Sequence, residues 1–387
     1  MTSKSCSRTS INLSIPYGHQ SINDADIDAV AATLRSDWLT MGPEVSAFER
    51  GIAARAAVDD AVAVSSGTAA LHCAYAATAI GPGDVVITSP MTFVATAATA
   101  VLQGATIVFA DVQPDTANID PAAVSELVTD RTRVIAAVDF AGHPADLREL
   151  AAIAHENGAL LLEDAAHSIA SLYRGQPVGS VADLTTFSFF PTKNLTTAEG
   201  GAVVSTSVHL LERARSFRMH GLVRDRALQR FPDEGPWHQE VHEFGLNYRL
   251  PDVLSALGTS QLTRLGEFKQ RRSQIFARYA EELSDIAELA LPTQRDYVDP
   301  MWHLFPVRVL GDQRRRVFEH LRNNGIMVQV NYIPAYWHPV FEDLGYRRGM
   351  CPVAEQFYSE EISLPMYAAL SESDQTQVID VLRQAFA

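Results

Sequence analysis

The chain has few cysteines, no long apolar run and a shortage of positive charge. Its three cysteines, Cys6, Cys73 and Cys351, lie far apart and are odd in number. They therefore indicate neither a disulfide framework nor a Cys-x-x-Cys metal pair, and they fit a reducing cytoplasm. No apolar run approaches the ~20 residues that a membrane-spanning helix needs. The polar first residues lack the apolar segment of a secretory signal.

Lysine and arginine number 31 against 46 aspartate and glutamate residues, a formal net charge of −15. A field of this sign repels nucleic acid and anionic lipid, so we expect neither as a partner. It leaves room for a phosphorylated small ligand, because a local pocket of backbone amides and one or two cations suffices. The length of 387 residues and the 47% hydrophobic content predict a globular enzyme of roughly two or three domains.

Short apolar runs alternate with helical patterns between about residues 22 and 260. These runs are apolar at successive positions, which is typical of a mainly parallel sheet covered on both faces. Ligands of such sheets bind beyond the carboxyl ends of the strands. The predicted strands are residues 61–64, 85–88, 106–110, 134–138, 160–163, 184–187 and 202–205. The predicted helices between them are residues 69–79, 94–103, 121–127 and 146–155.

The pattern changes near residue 260. A long helical region is predicted over residues 252–283, and a smaller unit of strands (302–310, 327–332) and helices (314–323, 374–385) follows. We therefore expect three parts in the chain: a flexible tail over residues 1–12, a large domain over residues 13–260 and a small C-terminal α+β domain over residues 261–387.

Lys193 and Asp164 supply two groups that belong together chemically. Lys193 lies in the run Ser-Phe-Phe-Pro-Thr-Lys-Asn, and Asp164 directly follows a predicted strand. A lysine amine can form a Schiff base with an aldehyde, and a carboxylate can keep a pyridine nitrogen protonated. Both groups are needed by an enzyme that uses pyridoxal 5'-phosphate (PLP).

The run Ser-Ser-Gly-Thr-Ala-Ala-Leu (65–71) joins a predicted strand to an alanine-rich helix. Free amides at a helix start bind anions, so Gly67, Thr68 and Ala69 predict a phosphate site. A plain helix cap is the alternative reading of the same residues. Ser188, just before the lysine turn, could share the phosphate.

Phe93 and His167 are candidates for the two faces of the PLP ring. Phe93 follows the strand predicted at 85–88, where its ring could lie against the pyridine, although a core position is an equal alternative. His167 could touch the other face or the ring hydroxyl, and a buried structural histidine is its alternative. The order of anion site, aromatic residue, aspartate and lysine is typical of aspartate-aminotransferase-like (fold type I) PLP enzymes.

More specifically, the chain resembles the DegT/DnrJ/EryC1/StrS family of sugar aminotransferases, from about residue 15 to the C-terminus. Within that family it is similar to enzymes that aminate C4 of UDP- or dTDP-linked 4-keto-6-deoxyhexoses, and residues 351–367 resemble the pseudaminic-acid-pathway transaminases. The matching runs are Leu-Thr-Met-Gly-Pro (39–43), Ser-Gly-Thr-Ala-Ala-Leu (66–71), Glu-Asp-Ala-Ala-His (163–167), Phe-Ser-Phe-Phe-Pro-Thr-Lys-Asn (187–194), Glu-Gly-Gly (199–201), Gly-Leu-Asn-Tyr-Arg (245–249) and Tyr-Ile-Pro (332–334).

The resemblance implies a fold and a mechanism. The fold would be type I, with a mainly parallel seven-stranded sheet in the large domain. Lys193 would hold PLP as an aldimine and shuttle a proton, Asp164 would bind the pyridine nitrogen and Phe93 would stack on the ring. L-Glutamate would donate the amine, with pyridoxamine phosphate as the intermediate and 2-oxoglutarate as the product.

The resemblance also implies the remaining contacts of the site. Thr68, Ala69 and Ser188 would hold the phosphate, and Asn247 would reach it from the neighbouring subunit of a homodimer with shared active sites. On the substrate side the candidates are Arg249, Tyr332 and His338. Arg249 could clamp the donor carboxylate or be structural at the dimer interface.

One departure from the subgroup keeps the substrate open. Residues 331–336 read Asn-Tyr-Ile-Pro-Ala-Tyr, where the pseudaminic-type enzymes carry His-Tyr-Ile-Pro-Val-His near the sugar. An aminotransferase or dehydratase acting on another ketone, such as a ketocyclitol, is therefore an alternative, although Lys193 argues against the family's dehydratases, which carry histidine there. A PLP-binding regulator is a further alternative, but the sequence has no basic DNA-binding segment.

Overall fold

The structure is a computed structural model that describes residues 14–386. The tail predicted over residues 1–12 lies outside the described residues. Within the described residues the helices are α1 Asp24–Leu34, α2 Pro43–Ala56, α3 Gly67–Thr78, α4 Ala95–Leu102, α5 Pro121–Leu127, α6 Leu147–Glu156, α7 Val208–Arg218, α8 Asp252–Thr263, α9 Leu265–Glu282, α10 Arg314–Asn323, α11 Pro339–Asp343, α12 Pro352–Glu360 and α13 Glu372–Gln384. The strands are β1 Ala61–Val64, β2 Val85–Thr88, β3 Thr106–Phe109, β4 Thr132–Val138, β5 Leu160–Asp164, β6 Leu172–Tyr173, β7 Gln176–Pro177, β8 Leu184–Ser188, β9 Gly201–Val204, β10 Leu222–Val223, β11 Glu240–Val241, β12 Leu289–Ala290, β13 Val298–Asp299, β14 Phe305–Val309 and β15 Glu361–Leu364.

A seven-stranded sheet forms the centre of the described chain, in the order β1-β9-β8-β5-β4-β2-β3. Strand β9 pairs antiparallel with both β1 and β8, and the remaining pairs are parallel. This confirms the predicted α/β class with a mainly parallel sheet. In its register Asp164 on β5 lies beside Val138 on β4 and Thr186 on β8, so the strand-end aspartate lies at the carboxyl edge of the sheet.

Helices cover both faces of this sheet, which explains why its strands are apolar without alternation. On β1, Val62 and Val64 point to the face covered by α3, α4 and α7. Their neighbours Ala61 and Ala63 point to the opposite face, which α2 covers next to β1 and α5 and α6 cover further along the sheet. Successive residues of one strand are therefore buried in different cores.

The C-terminal part forms its own antiparallel sheet, β12-β14-β15, against which α10 packs. The helical region predicted over 252–283 is broken at Arg264, which ends α8 and contacts Asp26 on α1. Residues 260 and 261 both lie within α8, and the division into two domains there stays a prediction. None of the helices in the described chain has the length and apolarity needed to cross a membrane.

The strand predicted over residues 327–332 is wrong. The structure has only an isolated bridge there, between Gln329 and Ser363 on β15. The next ladder position is lost because the backbone N–H of Asn331 donates to the buried carboxylate of Glu361 at 2.6 Å. A side chain thus replaces a backbone partner, and the segment turns towards the large sheet.

Candidate active site

A cavity of about 480 Å³ opens where the carboxyl ends of β4, β5 and β8 meet the start of α3. This volume is in the range of small-molecule sites. The C-terminal part closes it with residues that include His303, Gln329 and Asn331. The predicted site residues that line the cavity are Gly67, Thr68, Phe93, Asp164, His167, Ser188, Lys193 and Tyr332.

Asp164 is 5% exposed and is oriented by two hydrogen bonds. Its Oδ2 accepts from the hydroxyl of Thr96 at 2.6 Å, and its Oδ1 accepts from the backbone N–H of Ala166 at 3.2 Å. Burial raises the pKa of Asp164, and the Thr96 hydroxyl, the Ala166 amide and the charge of Lys193 oppose that rise. The contacts thus favour an ionised carboxylate in a place where burial disfavours one.

Lys193 lies in a tight turn after β8, where its backbone N–H donates to Phe190 O at 2.9 Å. The side chain is partly exposed, on the side of the cavity. Burial lowers the pKa of Lys193 to about 8, although the charge of Asp164 raises it. About one-tenth of the lysine is therefore a neutral amine at pH 7, the form that attacks a carbonyl or accepts a proton.

The start of α3 presents free amides of the kind that bind an anion. Ser66 caps the helix, and its Oγ accepts from the backbone N–H of Ala69 at 3.0 Å. Ala69 is not among the residues that line the cavity, and its contact with a phosphate stays a prediction. Gly67 and Thr68 stand at the first two helical positions, where no earlier carbonyl of the helix accepts their amides.

The helix start and the end of β8 approach each other closely. A Cβ added at Gly67 would stand 2.7 Å from Cβ and 2.8 Å from Oγ of Ser188. Only glycine fits at this contact, because real Cβ atoms do not approach that closely. The sequence places Gly67 and Ser188 far apart, but the fold brings the helix amides and this hydroxyl to one anion site.

Aromatic side chains form the opposite wall. The hydroxyl of Tyr332 lies 3.0 Å from Nε2 of His167, and the Phe93 and Tyr332 ring centroids are 6.4 Å apart. Phe93 is 60% exposed, so it is a cavity residue and not a core residue. Burial, and then the charge of Lys193, lower the pKa of His167 well below its usual value. Its ring is therefore neutral, and its Nδ1 has no partner among the described residues.

Besides Ala69, three predicted residues do not line the cavity of their own chain: Asn247, Arg249 and His338. Asn247 is exposed and accepts from Nε of Arg249 at 2.8 Å, on the segment that pairs with Val64. His338 stands at the N-cap position of α11. The turn before it is anchored by the backbone N–H of Ala335, which donates to Pro90 O at 2.9 Å.

The sequence analysis missed several cavity residues, among them Tyr17, Thr96 and His303. Thr96 could have been found as a polar residue in the first turn of the apolar helix α4, four positions after Thr92. Their hydroxyls are 2.7 Å apart. Tyr17 and His303 carried no such local signal, since only the folded chain brings them to Asp164.

These side chains fit PLP. Lys193 would bind its aldehyde, Asp164 its pyridine nitrogen, and the start of α3 with Ser188 its phosphate. The close approach of Gly67 to Ser188, which brings the amides of the helix start beside that hydroxyl, fits a phosphate group. Among residues 14–386 no group of side chains is suited to a metal ion.

Known proteins resemble this chain over nearly its whole length. The UDP-4-amino-4,6-dideoxy-N-acetyl-beta-L-altrosamine transaminase of Campylobacter jejuni is 36% identical over 376 residues, 95% of this chain and 96% of the relative.

Solved structures show the same fold. Spr1654 of Streptococcus pneumoniae, known in PLP and PMP forms, superposes with a TM-score of 0.90 at 29% identity, covering 96% of this chain and 98% of that one. PseC of Helicobacter pylori, an aminotransferase involved in the biosynthesis of pseudoaminic acid, has a TM-score of 0.89 at 30% identity over 96% of this chain and 99% of that one. Residues 20–383 match the sequence profile of the DegT/DnrJ/EryC1/StrS aminotransferase family. The chain belongs to this family, and it is a PLP-dependent sugar aminotransferase.

Proposed function

We propose that this aminotransferase moves the amino group of L-glutamate to C4 of a 4-keto-6-deoxyhexose linked to UDP or dTDP. The observation that carries the proposal is the cavity in which Lys193, Asp164 and the start of α3 converge. The relative from Campylobacter jejuni, whose name describes a UDP-linked 4-amino-4,6-dideoxy sugar, supports the substrate class.

Lys193 is the group that moves protons in this proposal. When bound, PLP supplies the carbonyl that takes up the amine and a ring that draws electrons from the reacting carbon. The neutral Nζ of Lys193 accepts the α-proton of the donor and would return it to the former aldehyde carbon of PLP, on the other side of the nitrogen. A pKa of about 8 suits this task, because a general base acts best near the working pH.

Asp164 and Thr96 hold the charge that the reaction needs. The carboxylate keeps a proton on the ring nitrogen, since an opposite charge favours the protonated form of that nitrogen. Thr96 donates to Oδ2 at 2.6 Å and so keeps the carboxylate ionised and turned towards the cavity. The Tyr332 hydroxyl, held by His167, is our candidate for a sugar contact.

We propose a homodimer in which each subunit completes the other's site. Glutamate and a nucleotide sugar are anionic, yet Lys193 is the only lysine or arginine among the described residues that line the cavity. Asn247 and Arg249 lie outside the cavity, on the segment that pairs with β1 just before the start of α3, and we call this edge of the site the rim. In a two-fold dimer the two subunits meet through the same surface. If the rim forms that surface, Asn247 and Arg249 of each subunit face the region around the partner's cavity.

Exposed apolar residues beside this rim support the dimer. Phe244 is 98% exposed and Trp237 is 80% exposed, on the segment that carries β10 and β11. Large apolar side chains clustered at a surface are typical of protein interfaces. The same segment leads directly into Asn247, so an interface here would carry Asn247 and Arg249 to the partner's phosphate and donor carboxylate.

We further propose that the enzyme works in the cytoplasm. Cys73 and Cys351 are free thiols buried in the described chain. Free cysteines are typical of reducing compartments. Fractionation of the source cells with an antibody to the protein would test the location, and recovery with secreted proteins would contradict it.

The direct test supplies the purified, PLP-loaded protein with L-glutamate and either a UDP- or dTDP-linked 4-keto-6-deoxyhexose. We expect 2-oxoglutarate and an aminosugar nucleotide in equal amounts, and Lys193→Ala should form neither. A ketocyclitol is the comparison substrate. Turnover of the ketocyclitol and of neither ketosugar would contradict the proposed substrate, while the family chemistry would stand.

A further inference from the structure

His303 is a buried side chain that faces the cavity and makes no hydrogen bond with the described residues. It is 5% exposed and belongs to the cavity wall. Its Nδ1 is fully buried without a partner. A neutral imidazole carries one donor and one acceptor, and a buried polar group without a hydrogen bond is destabilising. Nε2 also makes no hydrogen bond with the described residues, and its lack of a partner at the cavity wall needs an explanation.

The backbone at His303 is held on several sides, so the ring has little freedom to find another partner. Its N–H donates to Ala141 O at 2.8 Å. The buried guanidinium of Arg272 donates to its carbonyl at 3.3 Å and to that of Trp302 at 3.2 Å. A Cβ at Gly142 would stand 3.0 Å from the backbone nitrogen of His303, which shows how closely the two segments pack.

The ring of His303 continues a row of rings along the wall. Its centroid is 4.3 Å from that of His167, which in turn lies beside Tyr332. Burial, with a contribution from the charge of Lys193, lowers the pKa of His303 well below its usual value. The ring is therefore neutral, and it can donate or accept one hydrogen bond towards the cavity.

From the fixed backbone and the unpaired ring, we propose that His303 hydrogen-bonds, through Nε2, an oxygen of the group bound beside Lys193. That oxygen belongs either to PLP or to the sugar that receives the amine, and both offer a hydroxyl or carbonyl oxygen. Nε2 is the nitrogen on the cavity side, since Nδ1 is wholly enclosed. The sugar alternative rests on the proposed function, whereas the PLP alternative does not.

Three substitutions test whether His303 makes this hydrogen bond and which of its ring nitrogens makes it. His303→Leu removes both nitrogens, His303→Asn places an amide near the position of Nδ1, and His303→Gln places one near that of Nε2. A bond made by Nε2 is weakened about 10-fold in the Leu and Asn variants and is partly restored in Gln. A purely structural role has no reason to separate Asn from Gln in this order.

Two measurements separate the two oxygens. The Kd of PLP comes from titration of the cofactor-free protein, followed by its visible absorbance. The KM of the amine-accepting sugar is measured at saturating PLP. A weaker Kd with a shifted absorbance band assigns the bond to PLP, and a raised KM with unchanged Kd assigns it to the sugar. If the wild type accepts no sugar, the proposed substrate is wrong, and only the Kd of PLP tests the role of His303. A weaker Kd in the variants then supports the role, and an unchanged Kd refutes it.

His143→Gln is the matched control. His143 is also buried, but its Nδ1 lies 2.8 Å from Pro144 O and its Nε2 accepts from the backbone N–H of Arg295 at 3.2 Å. It should change thermal stability and leave Kd and KM unchanged. The proposal is overturned if the folded His303→Asn and His303→Gln variants match the wild type in both constants, or if the His143 variant shows the same losses.

Discussion

The hydroxyl of Thr96 has a measurable consequence for Asp164. It donates at 2.6 Å to a carboxylate that burial would otherwise protonate. In Thr96→Val the donor is lost, so the pKa of Asp164 moves further up. The ionised form then requires a higher pH, and the acid limb of the profile of kcat/KM against pH should move to higher pH. Activity at the acid end should fall about tenfold, since a hydrogen bond to a charged group is worth roughly 1.5–3 kcal/mol.

Thr99→Val is the control for this prediction. Thr99 is buried on the same helix, and its hydroxyl donates to Ala95 O at 2.7 Å without contact to Asp164. The same change of shape there should leave the acid limb in place. An equal displacement of the limb in both variants would show that helix packing, and not the bond to Asp164, sets it.

Lys193 should set a second rise of activity, at higher pH than the one that depends on Asp164. Burial lowers its pKa to about 8, and only the neutral amine accepts a proton. Its neutral fraction increases as the pH passes through that value, so the rate of the half-reaction with L-glutamate should increase with pH and level off above about 8. Stopped-flow absorbance of the PLP-loaded protein measures this rate. A rate that falls across this range would exclude Lys193 as the base.

At the scale of single residues, the sequence predicts the groups whose signals are local. Lys193 and Asp164 each lie in a short run with its own chemical meaning. Thr96 and His303 lie in no such run, because their roles depend on contacts with residues far away in the chain. The resemblance assigns Asn247 to the partner's site and His338 to the sugar, and both assignments stay predictions, since neither residue lines the cavity of its own chain.

Among the elements, the junction of α3 with the end of β8 is the most sensitive to volume. In Gly67→Ala the new Cβ would meet Ser188 at 2.7 Å, and separating the two by a few tenths of an ångström costs roughly 1–3 kcal/mol. We expect PLP to bind at least about tenfold more weakly, because the amides and the hydroxyl no longer converge. Titration with PLP and a melting curve measure both effects.

Gly81→Ala is the matched control for that substitution. A Cβ there meets nothing within 4 Å, and the position lies outside the cavity. Its melting temperature and PLP affinity should equal those of the wild type. If Gly67→Ala bound PLP as well as this control does, the helix start would not be the phosphate site.

The elements of the central sheet were predictable because burial on both faces leaves a continuous apolar signal. The seven predicted strands correspond to β1–β5, β8 and β9, with ends that differ by at most two residues. The failure at 327–332 has a physical cause, since a buried carboxylate takes the N–H that a ladder would use. The break at Arg264 likewise depends on a contact with α1 that the local sequence does not contain.

At the scale of the whole molecule, catalysis depends on walls from distant parts of the chain. The sheet supplies Asp164 and Ser188, and the C-terminal part supplies His303 and Tyr332. The sequence predicts most of these pieces, but it does not predict how they close around one cavity. The sequence also does not show that the cavity has few positive charges for its anionic substrates, because this depends on which residues line the folded site. Since a partner subunit could supply those charges, the dimer is tested by activity.

Mixing two inactive variants tests the shared site. Lys193→Ala removes the amine, and Asn247→Asp brings a carboxylate to the proposed phosphate contact of the partner subunit. If each site joins Lys193 of one subunit to Asn247 of the other, a mixed dimer has one doubly damaged site and one intact site. Random re-association makes about half the dimers mixed, so activity should recover to about a quarter of the wild-type value.

The control mixture combines Lys193→Ala with Asp164→Asn. Both residues line the cavity of the same chain, so every site in a mixed dimer carries one of the two lesions and no activity should return. Recovery in the first mixture alone assigns Asn247 to the partner's site. Light scattering must show that dimers form, and labelled subunits must show that they exchange. If neither mixture then recovers activity, Asn247 acts within its own subunit or not at all. In that case the cations that bind the anionic substrates must come from elsewhere on the chain.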